Sequence, residues 1–567
     1  MPPKYVLPPP PGRPPALPGW AADGHSATMP DLRIDPSVYS RPVKPDEPET
    51  GPAEPDQAKP RLAGLPLTII ATIQVVLSIR LIRGNSAFSD EALYLWAGRL
   101  EWSGWLHHTV VPPFATYFSG APVIYPPLGA IASAVGGLTG ARVLSLLFML
   151  GSTVLLHGLT KRIFDRRSAG FAAALFVGLG SAQFLGVFAT YDAMAVFLLA
   201  LATWLGVRSA GIGSPGWRAT VLLLAALALV TADAAKYATT LFDPVVLIVI
   251  ASFGWHARGR RAGLSAGLLT FTGTAVGLGV ALALGGSPYW AGVTSTTLSR
   301  AASNWPAFGV LYASAGWVGP VVILAIFGAV ATSYASRSAP AKVLTWTLVA
   351  AGFLAPAEQA RIHVFTSLFK HVAFGAWFAA PVAGYALTAF IRAIPAAKAA
   401  SALRVGVAVV TLSGLLGVVL VADHFGNWAD TSRALPPLTE VLRTHPGQLL
   451  VDDGPVFDYY LQNTEPWPNI TSIAVTSPGA LEQAVRHRQF SVILLAYAVG
   501  GGGCGNADPL LKSSRPQCLH YQDLKVLNAI ISDGGYRLIE RIRYKTTSFA
   551  SAYLIYARQD ATTPGQR

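Results

Sequence analysis

A polytopic α-helical membrane protein with a small C-terminal α/β domain is the fold class this sequence predicts, and three observations predict it. Of the 567 residues, 52% are hydrophobic and only 13% charged, and the mean hydropathy is +0.45. A water-soluble chain of this length rarely shows that balance. The apolar residues gather into runs of roughly 17–25 residues, the length that crosses a bilayer. Beyond about residue 423 the runs give way to short strand-like and helix-like segments. The net charge of +13 does not point to nucleic acid, because Lys and Arg concentrate in the short connections between apolar runs, as they do in polytopic membrane proteins.

Residues 1–60 read as a disordered, proline-rich cytoplasmic tail. Runs such as Pro8-Pro9-Pro10-Pro11 lock φ and remove donors, so they favour extended, solvated chain. Eleven spans follow, at about 62–82, 142–159, 168–189, 193–207, 219–232, 239–253, 264–284, 308–331, 343–356, 374–391 and 405–422. One further apolar piece, 127–139, carries Gly129, Gly136 and Gly137 and is short for a crossing. Charge decides its fate. If it does not cross, the basic connections at Lys161-Arg162, Arg218, Arg258-Gly259-Arg260-Arg261, Arg337 with Lys342, and Arg392 with Lys398 and Arg404 all fall on the side of the tail. The positive-inside rule therefore makes 127–139 a re-entrant or interfacial piece, with the N-terminus cytoplasmic and the C-terminal domain outside a plasma membrane.

Between the first span and that piece lies Phe88-Ser89-Asp90-Glu91-Ala92-Leu93-Tyr94-Leu95-Trp96-Ala97-Gly98-Arg99. Leu93, Tyr94, Trp96, Ala97 and Leu100 recur at helical spacing with aromatic anchors, the build of a helix lying in the membrane interface. Two adjacent carboxylates at its start are costly to desolvate; they serve either function or a cap, with Ser89 or Asp90 as N-cap and Glu91 favouring the positive helix end. On the expected topology the other conspicuous polar residues share the outer face: Thr190-Tyr191-Asp192, Asp233, Lys236-Tyr237, and the stretch from Arg361 and His363 to Lys370-His371. Carboxylates and cations meeting at outer helix ends suit an anionic substrate at the membrane surface. The bland alternatives are that Asp192 caps the helix after it and Lys236 snorkels. His107-His108, without further ligands nearby, read as loop residues rather than a metal site.

The order of these features resembles the GT-C glycosyltransferases that use polyprenyl-phosphate sugars, among them the protein O-mannosyltransferases and the aminoarabinose transferase of lipid A. The residues that carry the resemblance are Ser89-Asp90-Glu91-Ala92-Leu93-Tyr94, Tyr125-Pro126-Pro127-Leu128, Arg142, Lys161-Arg162-Ile163-Phe164, Thr190-Tyr191-Asp192, Lys236-Tyr237, and Ser367-Leu368-Phe369-Lys370-His371 followed by Phe374-Gly375. It covers about residues 62–425 and departs from the pattern at Ile124-Tyr125, where several relatives have Glu-Lys. The resemblance implies a membrane-bound transferase domain over 61–422 that moves a sugar from a polyprenyl-phosphate carrier to an acceptor (lipid, glycan or protein) outside the cytoplasm. On that reading Asp90 is the general base and Glu91 positions the base or the acceptor. Lys236, Lys370, His371 and Arg361 hold the phosphate, Asp192 orients sugar hydroxyls or one of those cations, and Tyr237 joins the donor site. No cofactor is required, and a divalent metal is compatible with the chemistry. Two other classes fit a polytopic chain. A transporter would show mid-membrane ionisable residues and two similar halves, and neither is visible here. A non-enzymatic envelope-assembly protein would work through its outer domain.

That domain, 423–567, is read as extracytoplasmic, with strands at 449–451, 472–475, 491–495 and 552–556 and helices at 480–488 and 524–533. Cys504 and Cys518 bracket a polar loop in which an oxidising compartment permits a disulfide. Asp452-Asp453 read as a strand-end turn.

Overall fold

The structure, a computed structural model, describes residues 65–300, 302, 305–365, 367–473, 478–499, 521–533, 535–545 and 550–559. The proline-rich tail, positions 474–475 and the Cys504–Cys518 loop lie outside the described residues.

Up to Phe425 the described residues form thirteen α-helices: α1 (Leu65–Ile82), α2 (Ser89–His107), α3 (Tyr125–Ile163), α4 (Arg166–Gly178), α5 (Gly180–Leu185), α6 (Tyr191–Ser209), α7 (Pro215–Ala235), α8 (Asp243–Arg258), α9 (Arg260–Val293), α10 (Ala307–Ala335), α11 (Ala339–Arg361), α12 (Leu368–Ala393) and α13 (Ala399–Phe425). Nine helical segments among the described residues are long and apolar enough to cross a membrane, and α1 is a shorter apolar helix. The count differs from eleven in two places. The described part of α1 is short for a span. The expected run 168–189 is broken at Leu179, whose ψ of 137° ends α4 before α5 begins. The break lets α5 lie against α13 at backbone distance, and α5 is buried throughout.

The piece at 127–139 is the opening of α3, which runs on into the next span but loses helical geometry at Gly136 and Gly137. Gly137 has φ of +59°, a conformation glycine adopts without steric cost. The helix before this break, from Tyr125 to Val135, is about 16 Å long at 1.5 Å per residue, roughly half the hydrocarbon thickness. It is held against α2 by close packing. A Cβ on Gly98 would stand 1.9 Å from the Pro126 carbonyl oxygen, and Trp102 Nε1 donates to the Pro127 carbonyl at 3.0 Å.

After α13 come α14 (Leu435–Thr444), β1 (Leu449–Val451), α15 (Gly454–Leu461), β2 (Ile470–Ser472), α16 (Pro478–Arg486), β3 (Val492–Val499), α17 (Tyr521–Asp533), β4 (Tyr536–Lys545) and β5 (Ala550–Arg558). The sheet order is β2-β1-β3-β5-β4. β1 is parallel to both β2 and β3, with Leu449 opposite Ile470 and Val492, whereas β5 is antiparallel to β3 and β4. Alternate residues feed opposite faces. Leu450, Ile493 and Leu554 pack with α16 and α17, while Val451, Leu494 and Ile555 pack with α14 and Phe457. Helices on both sides explain why the central strands read as continuous apolar runs. β4 escaped the sequence reading because Arg537, Arg541, Arg543 and Lys545 interrupt it, which is how an exposed edge strand is kept from pairing further.

α15 packs the sheet domain onto α2. Ser89 Oγ donates to Asp453 Oδ1 at 3.0 Å, Ala87 N donates to the Tyr460 hydroxyl at 2.8 Å, and Tyr459 and Ser133 hydroxyls pair at 3.0 Å. Asp458 on the same helix is buried, and its Oδ1 has no hydrogen-bond partner. Burial, reinforced by the nearby Asp453 charge, pushes its carboxyl up to about 8. A carboxyl whose folded value is raised binds its proton more tightly in the folded state, so stability falls as pH rises from the unfolded value near 4 to about 8, by at most about 1.4 kcal/mol per pH unit. Asp458→Asn is expected to flatten that dependence. Melting curves of the full chain between pH 6 and pH 9 check this, and an equally steep fall in the variant would reject it.

Candidate active site

The start of α2 assigns its two acids to different tasks. The N-cap is Phe88, and neither Ser89 nor Asp90 caps the helix: Ser89 Oγ is engaged by Asp453, and Asp90 Oδ2 accepts from Lys370 Nζ at 2.7 Å. Asp90 is 35% exposed, and its Oδ1 has no hydrogen bond among the described residues. Glu91 is fully buried. It accepts from Arg142 Nε at 2.9 Å and Nη2 at 2.7 Å, from Phe88 N at 3.1 Å and from Ala189 N at 2.8 Å. Those four bonds fill a carboxylate's capacity. Glu91, expected to position the base or the acceptor, here ties α2, α3 and the segment before α6 together. Arg142, also fully buried, uses all five N–H donors, the other three on the carbonyls of Ile82, Asn85 and Ser86 at 2.8–3.1 Å. Its guanidinium stands 4.9 Å over the Phe425 ring.

α6, the end of α7 and the start of α12 deliver the rest. Asp192 is fully buried; its Oδ1 pairs with Lys236 Nζ at 2.7 Å, and its Oδ2 accepts from Thr190 Oγ1 at 2.8 Å and lies 3.5 Å from Lys370 Nζ. Lys236 and Lys370 are buried to within a few per cent, so neither simply snorkels. The result is an unbroken line of alternating charge, Asp90–Lys370–Asp192–Lys236, in which two anions neutralise two cations. Lys236 Nζ also rests 4.7 Å from the Tyr191 ring centre. The Tyr191 hydroxyl bonds Tyr94 at 2.5 Å and also contacts the Ser119 hydroxyl.

Two cavities open beside this line. One, of about 330 Å³, is lined by Lys236, Gln359, His371, Glu358, Arg361 and Arg300. His371 Nδ1 pairs with the Gln359 side chain at 2.9 Å. Arg361 is mostly exposed and bound to Glu358 at 2.6 and 2.8 Å, so its charge is already compensated at the mouth. Arg300 has no ion pair or hydrogen bond among the described residues. Sequence reasoning passed over it, because an isolated arginine in a loop after an apolar run carries no local signal. The other cavity, of about 600 Å³, is mostly apolar, with Asp233 and Tyr237 in its lining, and shares Thr240, Thr297 and Leu298 with the first. Tyr237 lines it with a buried, unpartnered hydroxyl, which places Tyr237 in the apolar groove rather than with the cations. Among the described residues no three His, Cys, Asp or Glu side chains gather as a metal set.

No protein-family model matches this chain, and no curated protein matches it in sequence. Solved structures do match in fold. ArnT from Cupriavidus metallidurans bound to undecaprenyl phosphate superposes with a TM-score of 0.56 at 13% identity, over 90% of this chain and 100% of that one. Its apo form gives 0.55 at 12% identity, over 86% and 97%. The Archaeoglobus fulgidus oligosaccharyltransferase in its apo form gives 0.57 at 12% identity, over 86% and 80%. At such identities the likeness speaks for architecture, and the chain has the GT-C membrane fold.

Proposed function

We propose that the chain is a membrane glycosyltransferase that moves a sugar from a polyprenyl-phosphate carrier to an extracytoplasmic acceptor, with Asp90 as general base. The observation that carries this is the alternating line Asp90–Lys370–Asp192–Lys236, placed beside a cationic cavity and an apolar groove that meet at Thr240 and Thr297. A lipid phosphate needs such a junction, with cations for the head and a greasy channel for the chain. The fold likeness to an ArnT structure holding undecaprenyl phosphate and an AglB structure holding dolichol-phosphate supports the reading.

In the reaction the acceptor oxygen attacks the anomeric carbon and its proton passes to Asp90 Oδ1. The bond from that carbon to the phosphate oxygen breaks, and the lipid phosphate leaves with the electron pair. Lys370 holds Asp90 through its other oxygen, which keeps Oδ1 aimed. Because Lys236 and Lys370 are already neutralised by Asp192 and Asp90, the uncompensated charge that attracts the phosphate is Arg300. Purified protein incubated with a panel of polyprenyl-phosphate sugars is expected to release lipid phosphate from at least one; release from none, even with mixed envelope extracts as acceptor, would sink the assignment.

Arg300→Ala is expected to raise donor KM roughly ten- to a hundredfold, the worth of one charge-assisted contact of about 1.5–3 kcal/mol, with little change in acceptor KM. An unchanged donor KM would leave Arg300 a surface charge. Sidedness is testable by cysteine labelling. Gln359 and Ser168 are too buried to report, whereas Val110 is 80% exposed and Gly213 has open space where a side chain would go. Val110→Cys is expected to label from outside and Gly213→Cys only after permeabilisation. The reverse pattern would put the charge line on the cytoplasmic face.

A further inference from the structure

A third cavity, of about 600 Å³, lies between α2, the opening of α3 and the sheet domain's α15. Its polar lining is Arg99, Trp102, Ser133, Tyr459, Gln462 and Asn463. The hydroxyls of Ser133 and Tyr459 pair with one another, and the Trp102 N–H is engaged by the Pro127 carbonyl, which fixes its ring in place. The other three have no hydrogen-bond partner in the protein among the described residues, Arg99 and Asn463 as exposed side chains at the rim and Gln462 further in. Gln462 Oε1 is buried with no hydrogen-bond partner, and neither Arg99 nor Asn463 makes a hydrogen bond or ion pair among the described residues. A buried carbonyl left unpaired is costly, so the cleft is built for something that supplies a donor.

The chemistry narrows the occupant. A phosphate or other anion only accepts hydrogen bonds, so it would pair with Arg99 but leave the Gln462 carbonyl facing negative charge. A lipid tail would leave the buried Gln462 carbonyl unpaired and would take water from Arg99 and Asn463 without replacing it. A carbohydrate has hydroxyls that both donate and accept, and a weakly polar ring face that rests on an aromatic side chain such as Trp102. The cleft's position narrows it further. Arg99 lies nine residues beyond Asp90 on α2, about 13 Å along the helix axis. Meanwhile α15 runs beside α2 from Asp453, bonded to Ser89, to Gln462. A ligand that touches both ends is a chain rather than a single ring.

We propose that this cleft is a carbohydrate subsite that anchors an acceptor glycan chain some distance from its reacting hydroxyl, so that the acceptor is an oligosaccharide. The proposal rests on the reading of Asp90 as the base. It also gives the sheet domain a task, since Tyr459, Gln462 and Asn463 come from α15 and the turn after it.

The test uses the full-length protein in nanodiscs without donor. Free tetrasaccharides of glucose, galactose, mannose and arabinose, and the same glycans on a short lipid, are titrated by tryptophan fluorescence. At least one glycan is expected to bind. Asn463→Ala, an exposed position, and Arg99→Ala are each expected to weaken it by about tenfold, the loss of one or two hydrogen bonds, with unchanged melting temperatures. Tighter binding of the lipid-borne form would identify a glycolipid acceptor, and equal binding a polymer; both support the subsite. Absence of glycan binding, binding insensitive to both variants, or displacement of the glycan by short-chain phosphatidylglycerol in an Arg99-dependent way would overturn it. Because no donor is present, glycan binding without any lipid-phosphate release in the donor panel would defeat the transferase reading alone. Transfer to a sugar-free acceptor without glycan binding would defeat the subsite alone.

Discussion

Asp90→Asn is expected to lower turnover by about two to four orders of magnitude, the usual contribution of a positioned general base, while leaving the protein folded and able to bind the lipid donor. Asparagine keeps the shape of the side chain, and its carbonyl oxygen still accepts from Lys370 Nζ, 2.7 Å away in the wild type. What it loses is the ability to take a proton at Oδ1. A capping role does not blur the result, since Phe88 is the N-cap. Losing the Asp90 charge leaves Lys370 less compensated beside the cavity proposed for the donor, so donor affinity is expected to be kept or raised and serves as the internal control. A stable, donor-binding variant with normal turnover would move the base elsewhere. Asp192 is poorly suited, being fully buried and paired on both oxygens.

Glu91→Gln is expected to fail at the level of stability rather than chemistry. It leaves the Arg142 guanidinium buried without its counter-charge, a change that costs about 3–5 kcal/mol in comparable buried pairs. Arg142→Lys is expected to be nearly as harmful. A lysine offers three donors in place of a planar five, so the carbonyls of Ile82 and Asn85 would lose their donors, while that of Ser86 keeps the Trp428 indole N–H at 3.1 Å. A double replacement by leucines should not rescue the fold, because the amides of Phe88 and Ala189 would also lose their acceptor. Thermal unfolding and monodispersity in detergent measure this directly. A Glu91→Gln protein that melts like the wild type yet has lost turnover would show Glu91 to be a catalytic group.

The C-terminal sheet shows how far local pattern carries. The strands at 449–451, 491–495 and 552–556 were legible because apolar, β-branched runs bounded by turn residues have few other uses. α15 was not, since Gly454–Leu461 is short, lies beside apolar strands, and owes its place to packing on α2. The same holds for the break between α4 and α5. Its apolar run looks continuous, and only the close backbone approach of α13 requires it to bend.

The membrane class, the positions of most spans, the shortness of the apolar piece at 127–139 and the kinds of charge available near the helix ends were legible in the residues alone. These follow from run length, glycine placement and residue type, which are local properties. Which charge is buried and with what it pairs emerged only from the fold. Asp90 and Glu91 are neighbours with nearly the same chemistry, but successive residues on a helix point about 100° apart. One therefore meets Lys370, 280 positions away, at the edge of a cleft, and the other meets Arg142, 51 positions away, in the dry interior. Burial and pairing arise from contacts distant in sequence. The free charge of Arg300 and the compensated charges of Lys236 and Lys370 became distinguishable only when those contacts were formed.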